Sequence, residues 1–285
     1  MRFLSYELNG QPSFGALVDE KICDFGLRYP ALDLRQAIRE DKLTELAREA
    51  ERLDGNISSD EITYLPTIPN PEKIICIGVN YANRNAEYKD DSEAPKYPSV
   101  FMRSRESLVG HLAPIFDPPE SAQLDYEGEI VLIVGRGGRR ISEARAHEHV
   151  AGISIMNEGS VRDWLRHAKF NVTQGKNFVG SGGLGPWMVT PDEVDPMSNL
   201  RVQTHVNGEA RQDDVTDNLM FPFRYLVSYL STFYQLNPGD VIATGTPNGA
   251  GARFDPPKFL AAGDVVEVTV SGVGTLKNEV ADEPS

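Results

Sequence analysis

Hydrophobic positions beyond residue 72 gather into short runs rich in Val and Ile and bounded by Gly or Pro. They are Lys73 to Gly78, Glu127 to Gly135, His149 to Met156, Trp187 to Thr190, Leu200 to Asn207, Asp240 to Thr244 and Asp264 to Val270. Runs of this length and composition predict strands. Two stretches predict helices instead, Ser160 to His167 and Phe221 to Phe233. Glycine-rich loops are expected at Gly180 to Pro186 and Gly245 to Gly251. Before residue 65 the pattern is that of a small module. Short strands at Arg2 to Tyr6 and Gly15 to Val18 precede one helical stretch from Leu34 to Arg48, with apolar residues at three- and four-residue intervals. Leu65 to Pro71 then holds three prolines in seven residues, which removes donors and favours an extended linker. The expected division is a small N-terminal α+β domain with its linker, residues 1–70, and a larger domain, residues 71–285. Strands with few helices and long loops argue for a mixed α/β, mostly β chain with a closed or rolled-up sheet, not a doubly wound one.

Composition narrows the partners. Acidic residues outnumber basic ones 42 to 28, a formal charge of −14, and no basic run compensates. A phosphate backbone would repel such a surface, so nucleic acid is not expected. No segment reaches the roughly 18 consecutive apolar residues of a membrane span. The first residues, carrying Glu7, do not read as a secretory segment, so a cytoplasmic protein is expected. The two cysteines, Cys23 and Cys76, are far apart and support neither a disulfide framework nor a thiolate site. A metal would have to be held by oxygen or imidazole.

The segment Leu124 to Val134 supplies such oxygens. In an extended strand Glu127 and Glu129 point the same way, beside buried aliphatics, and two like charges held there call for a cation or a proton. Standing alone, the pair also reads as an exposed strand face that discourages edge pairing. Glu158 follows the apolar run His149 to Met156 and is a natural third ligand, or a helix cap. Three carboxylates without sulfur suit Mg²⁺, Mn²⁺ or Ca²⁺. Arg103 and Arg105 would attract an anionic substrate or serve as salt-bridge partners.

Several segments in fixed order then carry a resemblance: Ile77 to Tyr81, Asp125 to Glu129, Gly159 to Trp164, Gln174 to Phe178, Gly185 to Trp187 and Gly239 to Pro247. From about residue 73 to 280 the chain resembles the fumarylacetoacetate hydrolase family. The resemblance implies a β-sandwich roll, a homodimer, and Mg²⁺ or Mn²⁺ on Glu127, Glu129 and Glu158, with Ca²⁺ as a possible occupant in a crystal. Lys176 and Thr246 would contact a small oxo-acid substrate, joined by Tyr81 and Gln174 from the matching segments, and by Arg103. The family's acid-base histidine and glutamate correspond to Arg84 and Glu87, on a charged segment from Asn83 to Pro95 that reads as a lid. Arginine stays protonated, so Arg84 would clamp a carboxylate while Glu87, or His111, acts as base. Glu158 stands where the family usually has aspartate. The expected activity is metal-dependent hydrolysis of a C–C bond in a 1,3-dicarbonyl oxo acid of the acylpyruvate or fumarylpyruvate type, in aromatic catabolism. The alternatives are isomerisation, tautomerisation or decarboxylation of a related acid, or a catalytically silent metal-binding protein.

Overall fold

The computed structural model describes residues 1–53, 55–82, 95–167 and 171–284. Its centre is the strand Gly128–Val134, buried at every position. Ile130 and Leu132 enter one hydrophobic core, while Val131 and Ile133 enter another on the opposite face. Burial on both faces is why this run is continuously aliphatic and does not alternate with polar residues. The strand pairs antiparallel with Val150–Asn157 on one side and Val241–Ala243 on the other, in the middle of an 11-stranded sheet.

A second, five-stranded sheet covers one face. Val202, Val266 and Val268 from it meet Leu132, Ile153 and Ile155 from the larger sheet. Two short helices, Leu34–Arg39 and Leu43–Ala50, cover the opposite face and bring Leu34, Ala37 and Leu46 against Val131 and Ile133. The chain is thus mostly β, with helices few and peripheral. The N-terminal strand Arg2–Leu8 belongs to the larger sheet, pairing with Gly182–Val189 through Arg2 and Val189. Residues 65–73 form neither strand nor helix, and Thr67 anchors them, its hydroxyl 2.9 Å from that of Ser154. No helix among the described residues is long and apolar enough to cross a membrane.

Three local expectations change. The stretch from Leu34 to Arg48 is two helices, broken at Asp41, whose φ of 56° no helix accommodates. Ser160 to His167 is not a helix: Ser160–Val161 pairs with Leu124–Asp125, and only Trp164–Arg166 makes a 3₁₀ turn. Ladder bonds to the segment from Gln123 to Asp125, continued by the Arg162 N–H to the Gln123 carbonyl, take the backbone groups that a helix would use. Gly180 to Pro186 is largely strand, as part of Gly182–Val189, because its glycines let neighbouring chains approach.

Candidate metal centre

Register builds the centre. Gly128 lies opposite Asn157 and Glu129 opposite Met156, so one step further places Glu158 opposite Glu127, where the Glu158 N–H donates to the Glu127 carbonyl at 2.7 Å. Glu127 and Glu129 continue the face that deeper in the strand carries Val131 and Ile133. One carboxylate oxygen from each of Glu127, Glu129 and Glu158 lies within 4.8 Å of the others, and all three residues are buried. They line a cavity of about 450 Å³ together with Lys176, Arg162, Thr246 and an apolar wall that includes Ile77, Phe101 and Leu165.

Cations hold the acids together, Lys176 and Arg162 on the cavity side and Arg103 behind Glu158. Lys176 sits on the one-turn helix Thr173–Lys176. Its ammonium donates to Glu127 Oε2 at 2.6 Å, to Ser160 Oγ at 2.5 Å and to Glu158 Oε2, and it lies 5.2 Å from the centre of the Phe101 ring. Burial alone would push the Lys176 ammonium down, but Glu127 and Glu158 outweigh it and hold the group above its ordinary value, so it stays charged. Arg162 donates from Nη2 to Glu127 Oε1 at 2.9 Å and from Nε to Asp125 Oδ2 at 2.7 Å. Asp125 is itself fixed by the N–H groups of Gly251 and Ala252.

Glu129 stands apart. It is 1% exposed and accepts one hydrogen bond among the described residues, from Gly245 N–H at 2.8 Å. Burial first, then the charges of Glu158 and Glu127, push its carboxyl well above the ordinary carboxylate range. Burial also raises the Glu158 carboxyl, though Lys176 and Arg103 oppose it. Among the described residues, Asp125, Glu127, Glu129 and Glu158 are four buried carboxylates against the three cations Lys176, Arg162 and Arg103, so the cluster is short of positive charge. A divalent cation that prefers oxygen, such as Mg²⁺, Mn²⁺ or Ca²⁺, is the group this all-oxygen donor set fits.

The other sequence-expected residues separate. Thr246 lines the cavity, but its hydroxyl donates to the Gly128 carbonyl at 2.9 Å and accepts from Gln212 at 2.8 Å, so its proton is committed to the backbone. Arg103 does not line the cavity: its guanidinium is fully enclosed, donates to protein acceptors and pairs with Glu158, as the salt-bridge alternative expected. Tyr81 is also displaced from the expected role. It is wholly buried in the core between the sheets, and that burial raises its hydroxyl far above the usual range. Gln174 is exposed and does not line the cavity. His111 is not at the centre either: its Nδ1 accepts from Lys277 N–H at 3.0 Å and its ring packs edge-on against Tyr64. Arg84 and Glu87 lie outside the described residues, as does the lid segment up to residue 94. Both cysteines are buried and free.

Sequence reasoning missed Arg162 and Ser160. The available signal was their position immediately after Glu158, which the strand register must carry past the same carboxylates.

Known proteins bear on this arrangement. The fumarylacetoacetate (FAA) hydrolase C-terminal family matches residues 73–281. Oxaloacetate tautomerase YisK of Bacillus subtilis (strain 168) is 35% identical over 302 aligned residues, covering 98% of this chain and all of that protein. The mitochondrial oxaloacetate tautomerase fahd2 of Xenopus laevis is 36% identical over 291 residues, covering 98% of this chain and 90% of its own. Among solved structures, a fumarylacetoacetate hydrolase from psychrophilic Exiguobacterium antarcticum superposes with a TM-score of 0.84 at 31% identity, covering 99% of this chain and 100% of that one.

Proposed function

This chain belongs to the fumarylacetoacetate hydrolase family of enzymes, and we propose that it is a divalent-cation-dependent tautomerase of a small oxo acid of the oxaloacetate type. The observation that carries the reading is the convergence of Glu127, Glu129 and Glu158 with the Lys176 ammonium in one cavity. The choice of tautomerisation over C–C hydrolysis, the first expectation, is supported by full-length similarity to an oxaloacetate tautomerase. It is supported as well by the residue content of the site. Hydrolysis needs a base for water beyond the group that moves the substrate proton, and the resemblance pairs a histidine with Glu87 for that task. Arg84, at the position expected to hold one, stays protonated.

Bound Mg²⁺ or Mn²⁺ would supply Lewis-acid polarisation of the substrate's oxo group. The rest falls to the chain. Lys176, held protonated, offers positive charge to a carboxylate or developing oxyanion without acting as a base. Arg162 keeps Glu127 ionised and oriented. Ile77, Phe101 and Leu165 give the cavity an apolar wall that would limit water beside a bound substrate. Glu87 is the proposed proton carrier between carbon and oxygen.

The test is to supply enol and keto forms of oxaloacetate, with acylpyruvates alongside, in Mg²⁺ or Mn²⁺ and to follow the products by proton NMR and mass spectrometry. Interconversion at constant mass, abolished by chelator, is expected. Two fragments and an added water would instead establish the hydrolase reading.

A further inference from the structure

We propose that Arg103 is a positioning residue that presents a single oxygen of Glu158 to the bound cation and thereby favours Mg²⁺ or Mn²⁺ over Ca²⁺. The inference rests on the metal-centre reading and goes beyond it to ion selectivity.

Every N–H of this guanidinium has a protein acceptor. Nε donates to Ser107 Oγ at 3.0 Å, and Nη2 to the Ser107 carbonyl at 3.2 Å and Ser181 Oγ at 3.0 Å. Nη1 donates to the Gly159 carbonyl at 2.7 Å and to Glu158 Oε1 at 2.5 Å. The side chain is 0% exposed. Anchored by the turn at Ser107, by Gly159 and by Ser181, it is a fixed wall, and Glu158 is oriented by it. Oε1 is thereby committed to a charge-assisted bond. Oε2 points toward Lys176 on the cavity side. Glu127 repeats the pattern, with Oε1 on Arg162 and Oε2 on Lys176.

Glu158 tied in this way has Oε1 held on the guanidinium side, and what it would offer a bound cation is the Oε2 lone pair that Lys176 does not take. Ca²⁺ takes six to eight oxygens and commonly binds a carboxylate through both, whereas Mg²⁺ requires a near-octahedral set at shorter range. Releasing Oε1 would therefore cost Mn²⁺ and Mg²⁺ orientation while giving Ca²⁺ an extra ligand atom. Partners that orient metal ligands typically account for ~10- to 100-fold in affinity.

The experiment measures Mn²⁺, Mg²⁺ and Ca²⁺ affinities of the metal-free protein by calorimetry, with Mn²⁺ checked by electron paramagnetic resonance. The proteins are wild type, Arg103→Lys and Arg103→Met, each with and without Glu158→Gln. In Arg103→Met, Mn²⁺ affinity should fall about tenfold while Ca²⁺ affinity holds or rises, with Arg103→Lys between the two. With Glu158→Gln already present, changing Arg103 should leave the Mn²⁺:Ca²⁺ ratio where it is. A general packing defect would weaken all ions alike in both backgrounds, and that result overturns the proposal. Should Arg103→Met fail to fold, Arg103→Lys and Ser181→Ala decide it: a falling ratio supports the proposal and an unchanged one overturns it. If wild type binds no divalent cation, the metal-centre reading itself fails. An unchanged ratio in variants of a metal-binding protein overturns the role of Arg103 alone.

Discussion

Glu129→Gln separates the cost of the acid cluster from its use. In metal-free protein the substitution removes the carboxyl least compensated by cations and keeps an acceptor for Gly245 N–H. Because the folded state raises this carboxyl, the unfolded chain ionises it in the ordinary range near 4.5 while the native protein resists. Native stability is therefore lost as pH rises above that range, and the penalty is present in full once pH exceeds the native value. At pH 8 the variant should be more stable than wild type in chelator by about 1–3 kcal/mol, the scale on which neutralising an uncompensated buried charge acts. The gain should fade as pH falls toward 4.5. With Mn²⁺ at a hundredfold excess over its dissociation constant, wild type should gain about 3 kcal/mol by mass action, and the variant, lacking one of three ligands, should lose most of that gain. For a chain of this size each kcal/mol moves the melting temperature by roughly 2 °C. Differential scanning fluorimetry at several pH values, with chelator and with Mn²⁺, reads both effects. A variant that melts lower than wild type in chelator and keeps the full Mn²⁺ response would refute the reasoning.

Two other perturbations test neighbouring parts of the argument. Lys176→Met strips the shared ammonium from Glu127 and Glu158. It should destabilise metal-free protein by about 3–5 kcal/mol in urea unfolding. Mn²⁺ should then restore more stability to the variant than it adds to wild type, and equal increments would contradict the compensation described above. His111 is lowered from 6.5 to about 4, first by burial and then by Lys277, so the unfolded chain takes up a proton that the native state refuses. Its contribution is present above pH 6.5 and is lost as pH falls toward 4, at most about 3 kcal/mol. Glutamine at this position can still accept from Lys277 N–H, so His111→Gln should flatten the acid limb of the stability profile over that window. An identical slope in both proteins would show that the imidazole is not responsible.

Much of the site was legible before any coordinates. Period-two geometry puts Glu127 and Glu129 on one face of an extended strand, beside buried aliphatics. The arginines were not legible. Arg103 and Arg162 are both cations near carboxylates in sequence order. One is enclosed by Ser107, Gly159 and Ser181, and the other faces the cavity. Spacing carries no record of which acceptors surround a guanidinium. Tyr81 was not legible for a similar reason, since its side chain lies in the core between the sheets. The misread helix at Ser160 shows the limit of local propensity: pairing of Ser160–Val161 with Leu124–Asp125 overrides it.

The sequence by itself determined that the chain is mostly β, acidic, and equipped with a same-face pair of glutamates, because these follow from residue type and from the two-residue period of a strand. Only the tertiary structure decided that Glu158 lies opposite Glu127, that Lys176 bridges them, and that Arg103 stands behind them. Those are consequences of strand register and long-range packing, which join residues that no local interaction connects.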